Sequence, residues 1–222
     1  GGGTVDIDIE AVGHDGLTFE PGQFAWLKVG DSPYTVEEHP YSFASSAEEP
    51  GQLSFGVSAL GDFSERLQTL DVGTTVYLDG PHGAFSIDRA QAPGYVFIAG
   101  GVGITPMMSF LHTMADRGDP RPVMLLYSEE AEGDLAYSEE IEALKERLDL
   151  ETVFVLDDPP SDWTGEEGRI TGELLERRLP KERFRRRVFV CGPPPMMVAV
   201  EEALLALDVP QSHIHIEKFA LA

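Results

Sequence analysis

The stretch that most constrains the fold is residues 95–108, which read YVFIAGGVGITPMM. A membrane-spanning helix needs about 20 consecutive apolar residues, and the glycines and Pro106 divide this stretch in two. The pattern instead predicts a buried strand from Tyr95 to Ala99, a tight turn, and a helix that begins near Thr105. Because the backbone N–H groups at the start of a helix are unpaired, a turn of this kind is suited to binding an anion.

The spacing of apolar residues differs between the two halves of the chain. From Thr4 to about Asp88, segments such as TVDIDIE, FAWLKV, LSFGVSAL and TVYLDG lie between Gly and Pro turns, which is typical of antiparallel strands. From Gly94 onward, apolar runs such as YVFIAG, PVMLLYS, LETVFVL and RRVFVCG alternate with amphipathic helical patterns, which indicates a parallel sheet covered on both faces. The sequence therefore predicts a β + α/β chain, with a small antiparallel β-barrel domain over residues 1–90 and a parallel-sheet α/β domain over residues 91–222.

Composition limits the possible partners. The formal net charge of −23 argues against nucleic acid or anionic lipid as a partner, since both would be repelled. The single cysteine, Cys191, excludes an intrachain disulfide framework and a cluster held by four thiolates. No metal-ligating motif is found, so no metal site is predicted. Without a visible signal peptide, we expect a cytoplasmic location.

Two Gly/Pro turns follow predicted parallel strands. They are GVGITP at 101–106 and CGPPPMM at 191–197. Because ligands of parallel sheets bind at the carboxyl ends of the strands, the two turns could face one cleft. Each motif alone is also compatible with an ordinary strand-to-helix connection, and Cys191 with a small buried apolar residue.

The first half of the chain contains motifs that place these turns in a larger pattern. HPYSFASS at 39–46 resembles the flavin motif of the ferredoxin–NADP reductase superfamily, and its His-Pro opening is similar to the ferric reductase and NADPH oxidase branch. GDFSERL at 61–67 resembles the flavin-pyrophosphate turn of that branch. Similarity continues through PGQFAWL, DGPHG, GGVGITP, CGPPPMM and IEKF, and so covers nearly the whole chain in order.

The resemblance implies an NAD(P)H-dependent flavoprotein oxidoreductase with FAD as its cofactor and a nicotinamide dinucleotide as its substrate. It places Tyr41 on the isoalloxazine and Cys191 beside the nicotinamide. The predicted catalytic residues are Ser42, Cys191 and Glu217, with Ser42 near flavin N5. The predicted cofactor-binding residues are His39, Pro40, Tyr41, Ser42, Gly61, Asp62, Phe63, Ser64, Gly101, Gly103, Ile104, Thr105, Pro106, Glu130, Cys191, Gly192, Pro193 and Phe219.

Two departures from the family pattern carry expectations of their own. Most of the superfamily has Arg where this chain has His39, so an imidazole stands in place of a guanidinium and flavin retention is expected to be weaker. The family's barrel also begins with a further strand upstream of Thr4, so we expect this chain to be part of a longer protein. In the ferric reductase branch the additional part is often a haem-bearing membrane domain, which would accept the electrons and associate the protein with a membrane.

The residues that follow PVMLLYS bear on the choice of nucleotide. NADPH-using relatives have an Arg there to pair the 2′-phosphate, whereas this chain has Glu129 and Glu130, with Glu130 near the Arg position. A carboxylate repels a phosphate and accepts a hydrogen bond from a ribose hydroxyl. We therefore predict that NADH is preferred to NADPH. The alternative is that both glutamates face solvent without a role.

Two other functions are compatible with the same motifs. One is a soluble flavin reductase subunit that serves an oxygenase or another electron acceptor. The other is a catalytically silent module that binds a nucleotide or a protein partner and has lost its flavin. The presence of Tyr41, Ser42 and Glu217 argues against silence.

Overall fold

A computed structural model of the protein describes residues 4–30, 32–59 and 61–218. Antiparallel strands come first and a parallel sheet with helices follows, so the predicted fold class is confirmed. The strands are β1 (Thr4–Glu10), β2 (Phe24–Val29), β3 (His39–Ser42), β4 (Gln52–Ser58), β5 (Val76–His82), β6 (Tyr95–Gly100), β7 (Val123–Glu129), β8 (Leu150–Leu156), β9 (Glu166–Glu167), β10 (Arg187–Cys191) and β11 (Ile214–Glu217). The helices are α1 (Asp62–Gln68), α2 (Ile104–Asp116), α3 (Ser138–Leu144), α4 (Gly172–Arg178) and α5 (Pro194–Ala206).

The strands of the first half form two antiparallel sheets. One pairs β1 with β4, and the other has the order β3–β2–β5. An isolated bridge joins Phe43 to Phe55, and both rings are fully buried in the core of these sheets. This arrangement places the His39–Ser42 strand beside β2, where Tyr41 is paired with Ala25.

A groove of about 1310 Å³ runs along β1 and β5. Each of these strands lies at the end of its sheet, with β1 paired to β4 and β5 paired to β2 in the described part of the chain. Apolar side chains such as Ile7 and Leu78 line the groove together with the acidic side chains of Asp6, Asp8 and Asp79.

The second half contains a six-stranded parallel sheet in the order β11–β10–β6–β7–β8–β9. The continuous apolar runs of the sequence form its central strands because both faces are buried there. On one face, Val96 and Val190 pack in a cluster with side chains of α4 and α5. On the other, Phe97 and Phe189 meet edge to face with ring centroids 6.0 Å apart. The topology brings the ends of β6, β7 and β10 to one edge of the sheet.

The described residues group into two compact units, one with residues up to 89 plus 105–117, the other with 90–104 and from 118 onward. Helix α2 belongs to the first unit, where the Ser109 hydroxyl donates to the Ser45 carbonyl at 2.9 Å. The Ala47 N–H likewise donates to the Thr113 hydroxyl at 2.9 Å. The domain division at residues 90 and 91 stays a prediction. None of the helices in the described ranges has the length and apolar composition that crossing a bilayer requires.

Candidate functional site

The two Gly/Pro turns lie together at the carboxyl edge of the parallel sheet. Their strands β6 and β10 are neighbours, and Ala99 is paired with Cys191. Gly101 has a φ of 56°, in the left-handed region that favours glycine. At Gly103, a Cβ atom would stand 2.3 Å from the backbone oxygen of Cys191 and 2.8 Å from the amide nitrogen of Gly192. The absence of side chains therefore allows the two backbones to approach closely.

The helix after the first turn begins at Ile104, one residue before Thr105. The Ile104 side chain is fully buried, so only its backbone could contact a nucleotide. Pro106 stands in the first turn, where its missing N–H removes no helical hydrogen bond. The Thr105 hydroxyl is buried and has no hydrogen-bond partner within the described residues. An unpaired buried hydroxyl costs free energy, and a phosphate oxygen at this helix start would remove that cost.

Cys191 and Glu217 are direct partners in the parallel ladder between β10 and β11. Cys191 is fully buried, and burial, followed by the charge of Glu217, raises the pKa of its thiol. Burial also raises the pKa of the half-buried Glu217 carboxyl. At neutral pH the thiol is therefore neutral, which excludes a thiolate nucleophile at this position.

The raised pKa of Glu217 predicts a pH-dependent stability. Charging this carboxyl is less favourable in the folded chain than in the unfolded chain, so its contribution to the free energy of unfolding falls as pH rises above the ordinary pKa of 4.5. We expect Glu217→Gln to be more stable than wild type near neutral pH, with the difference shrinking as the pH falls toward 4.5. Chemical denaturation at several pH values measures this. Glu176→Gln, at an exposed position of α4, is the control; equal pH dependence in both variants would contradict the prediction.

The residues predicted to contact the flavin lie on β3 and at the start of α1. Tyr41 is half-buried rather than sealed in the core, and burial raises the pKa of its phenol to about 12. The His39 ring packs against Phe63 with ring centroids 4.3 Å apart. Pro40 is half-buried and Ser42 is buried. A neutral phenol with a partly exposed ring suits a flat aromatic ligand.

The Ser64 side chain caps the start of α1. The Ser64 hydroxyl accepts the Gly61 N–H at 3.0 Å and donates to the Gly61 carbonyl at 2.8 Å, which closes the first turn of the helix. Its single hydrogen is therefore used within the protein. Phe63 is buried in the core and Asp62 is exposed. The pyrophosphate contact at this turn stays a prediction, and the backbone N–H groups at the start of α1 are further candidate donors.

Glu130 lies just beyond β7, at the same sheet edge as the glycine turns, and its side chain is exposed. Glu129 differs from it, because it is half-buried and accepts a hydrogen bond from the Tyr127 hydroxyl at 2.7 Å. The alternative that both glutamates merely face solvent is therefore wrong for Glu129. Sequence reasoning missed this pair, although residues two apart in a strand lie on the same face. Phe219 lies outside the described residues.

Two protein-family models match the chain in order. An FAD-binding domain matches residues 7–86, and an oxidoreductase NAD-binding domain matches residues 97–202. The chain is 33% identical to the reductase component of propane 2-monooxygenase from Rhodococcus jostii, over 97% of the chain and 59% of that protein. It is 32% identical to NADH-cytochrome b5 reductase 1 from Debaryomyces hansenii, over 75% of the chain and 61% of that protein. The chain thus spans only about three fifths of these relatives.

Solved structures show the same fold. The flavohaem-like FAD/NAD-binding domain of nitric oxide dioxygenase from Vibrio cholerae superposes with a TM-score of 0.85 at 25% identity, over 96% of this chain and 91% of that one. The reductase of an Amycolatopsis cytochrome P450 superposes with a TM-score of 0.82 at 27% identity, over 97% of this chain and 65% of that one.

Proposed function

Because the chain belongs to the ferredoxin–NADP reductase superfamily, we propose that it is an NADH-dependent flavoprotein reductase module. Its predicted reaction is hydride transfer from NADH to FAD, followed by single-electron delivery to an acceptor. The observation that carries the proposal is the close approach of the two glycine turns at the ends of β6 and β10, at the edge of a parallel sheet where ligands bind.

The residues of the first unit fit FAD by their chemistry. FAD, when bound, accepts a hydride and releases electrons one at a time. Tyr41 offers a partly exposed aromatic ring, and its phenol hydroxyl stays protonated at neutral pH. Ser42 offers a hydroxyl one residue further along β3, and His39 a polar ring held against Phe63. In this proposal Tyr41 orients the isoalloxazine and Ser42 hydrogen-bonds it near N5.

The residues at the parallel-sheet edge suit a nicotinamide dinucleotide. Gly101, which has open space where a side chain would be, leaves the backbone accessible to the phosphates, Gly103 lets its turn pack against Cys191, and the Thr105 hydroxyl supplies an otherwise unpaired donor. Cys191 supplies a small neutral group beside the nicotinamide. Glu217, whose pKa is raised by burial, is able to hold a proton at its carboxyl closer to neutral pH than an exposed glutamate does.

We propose a haem-bearing membrane domain as the electron acceptor. The proposal is supported by the His39-Pro40 opening of the flavin motif, which resembles the ferric reductase branch. A second candidate is an oxygenase, because the chain resembles the reductase component of a propane monooxygenase.

Mixing NADH-reduced protein with cytochrome b5 and, separately, with a two-iron ferredoxin tests the choice between the two acceptors. Faster reoxidation by cytochrome b5 supports a haem acceptor and counts against the oxygenase, and faster reoxidation by the ferredoxin supports the oxygenase and counts against the haem domain.

The reductase function itself is tested by colour. Protein reconstituted with FAD should be yellow after gel filtration, and NADH without air should bleach it. Tyr41→Ala should bind FAD at least about fivefold more weakly, since a stacked aromatic ring contributes about 1 kcal/mol or more. Tyr34→Ala, which removes an 89% exposed tyrosine of the same unit, is the control. Protein that binds NADH but stays colourless with excess FAD would support the silent module instead.

A further inference from the structure

A hydrogen-bonded cluster lies at the carboxyl end of β7, immediately before Glu130. The fully buried Tyr127 donates its hydroxyl hydrogen to Glu129 Oε1 at 2.7 Å. A hydrogen bond from the backbone of Glu130 also reaches the Glu129 carboxylate. The carboxylate thus connects a fixed side chain within the sheet to the first residue beyond it.

The main chain around Glu130 is also held by the residues that follow β8. The Asp157 N–H donates to the Glu129 carbonyl at 3.1 Å, and the Asp158 N–H donates to the Glu130 carbonyl at 2.8 Å. The Glu130 side chain itself remains exposed. These bonds fix the point at which the Glu130 side chain leaves the backbone.

The hydrogen bonds of this cluster favour the charged form of the Glu129 carboxylate, which burial disfavours. Burial raises the pKa of Glu129, and the hydrogen bonds from Tyr127 and Glu130 act in the opposite direction. Burial, followed by the charge of Glu129, raises the pKa of Tyr127, so the phenol remains a donor at neutral pH. The Tyr127 hydroxyl and the Glu129 carboxylate are therefore a hydrogen-bonded pair in which each favours the protonation state of the other.

We propose that Tyr127 and Glu129 are positioning residues that orient Glu130 for discrimination between NADH and NADPH. The inference rests on the proposed role of Glu130. A freely rotating Glu130 could swing away from a 2′-phosphate, whereas an oriented one keeps its negative charge near the adenosine ribose. Neither Tyr127 nor Glu129 has to touch the nucleotide for this effect.

Equilibrium binding of NAD⁺ and NADP⁺ to the whole chain, measured by calorimetry, tests the proposal without flavin turnover. The quantity compared is the ratio of the two dissociation constants. Glu130→Gln should reduce the preference for NAD⁺ about tenfold, as expected for a charged interaction. Tyr127→Phe and Glu129→Gln should each reduce it about three- to fivefold. In a background that already carries Glu130→Gln, neither should have a further effect, because the residues act through Glu130.

Tyr95→Phe is the matched control. Tyr95 is also fully buried in the same sheet, on β6, and its hydroxyl accepts a hydrogen bond from Arg121 at 2.6 Å. Loss of the Tyr95 hydroxyl should lower the free energy of unfolding and leave the ratio of the NAD⁺ and NADP⁺ dissociation constants unchanged. If Glu130→Gln changes the ratio while Tyr127→Phe and Glu129→Gln do not, or if their effects add fully in the double variants, the positioning proposal is overturned. If Glu130→Gln leaves the ratio unchanged, the proposed role of Glu130 fails, and the positioning role fails with it.

Discussion

Glu130→Arg should convert a preference for NADH into a preference for NADPH. The wild-type side chain is an exposed carboxylate at the end of β7, where it would repel a 2′-phosphate and accept a hydrogen bond from a 2′-hydroxyl. Arginine would remove the repulsion and add a charge-assisted pair with the phosphate. Two such contributions of about 1.5 kcal/mol each correspond to roughly a 100-fold change in relative kcat/KM.

The measurement compares kcat/KM for NADH and NADPH with ferricyanide as the acceptor. Glu176→Arg, at an exposed position of α4, changes the net charge by the same amount and is the control. It should leave the ratio unchanged, because a charge distant from the phosphate is screened by salt. A wild-type preference for NADPH, or an unchanged ratio in Glu130→Arg, would contradict the assignment.

The second large effect is expected at Gly103. An alanine Cβ there would lie 2.3 Å from the oxygen and 2.5 Å from the carbonyl carbon of Cys191. Both atoms are backbone, so no side-chain rotation can relieve the overlap, and the two turns must move apart. We expect Gly103→Ala to lower the free energy of unfolding by about 1–3 kcal/mol and to weaken NAD⁺ binding by at least about tenfold.

Thermal unfolding and calorimetric titration with NAD⁺ measure the two effects. Gly133→Ala is the control within the same unit, because a Cβ there would have no neighbour within 4 Å. Wild-type affinity in a folded Gly103→Ala variant would show that the close approach of the turns is not needed for binding.

Short-range patterns explain why much of the fold was predictable. Segments such as 24–29 and 123–128 form strands because their apolar residues are contiguous or alternate, and both patterns are visible in a few residues. The two-residue strand Glu166–Glu167 has no such pattern and was not predicted. The attachment of α2 to the first unit was also missed, because its hydrogen bonds to Ser45 and Ala47 join residues more than 60 positions apart.

The candidate site was predictable to a similar extent. The turns at 101–106 and 191–197 could be placed together from the general rule for parallel strands, and β6 and β10 are indeed adjacent. The hydrogen bonds and the burial of each side chain could not be predicted from this rule. The capping role of Ser64 depends on local geometry, and the burial of Glu129 depends on how Tyr127 packs within the sheet.

The groove along β1 and β5 has a consequence for the colloidal behaviour of the protein. A strand at the end of a sheet can recruit a strand from another molecule, and charged side chains oppose this. Here Asp6, Asp8 and Asp79 border the groove, and the whole chain carries a net charge of −23. Solutions should therefore stay dispersed at neutral pH and low salt. Acidification toward the isoelectric point near 4.4 removes that repulsion and should lead to intermolecular β-pairing and turbidity.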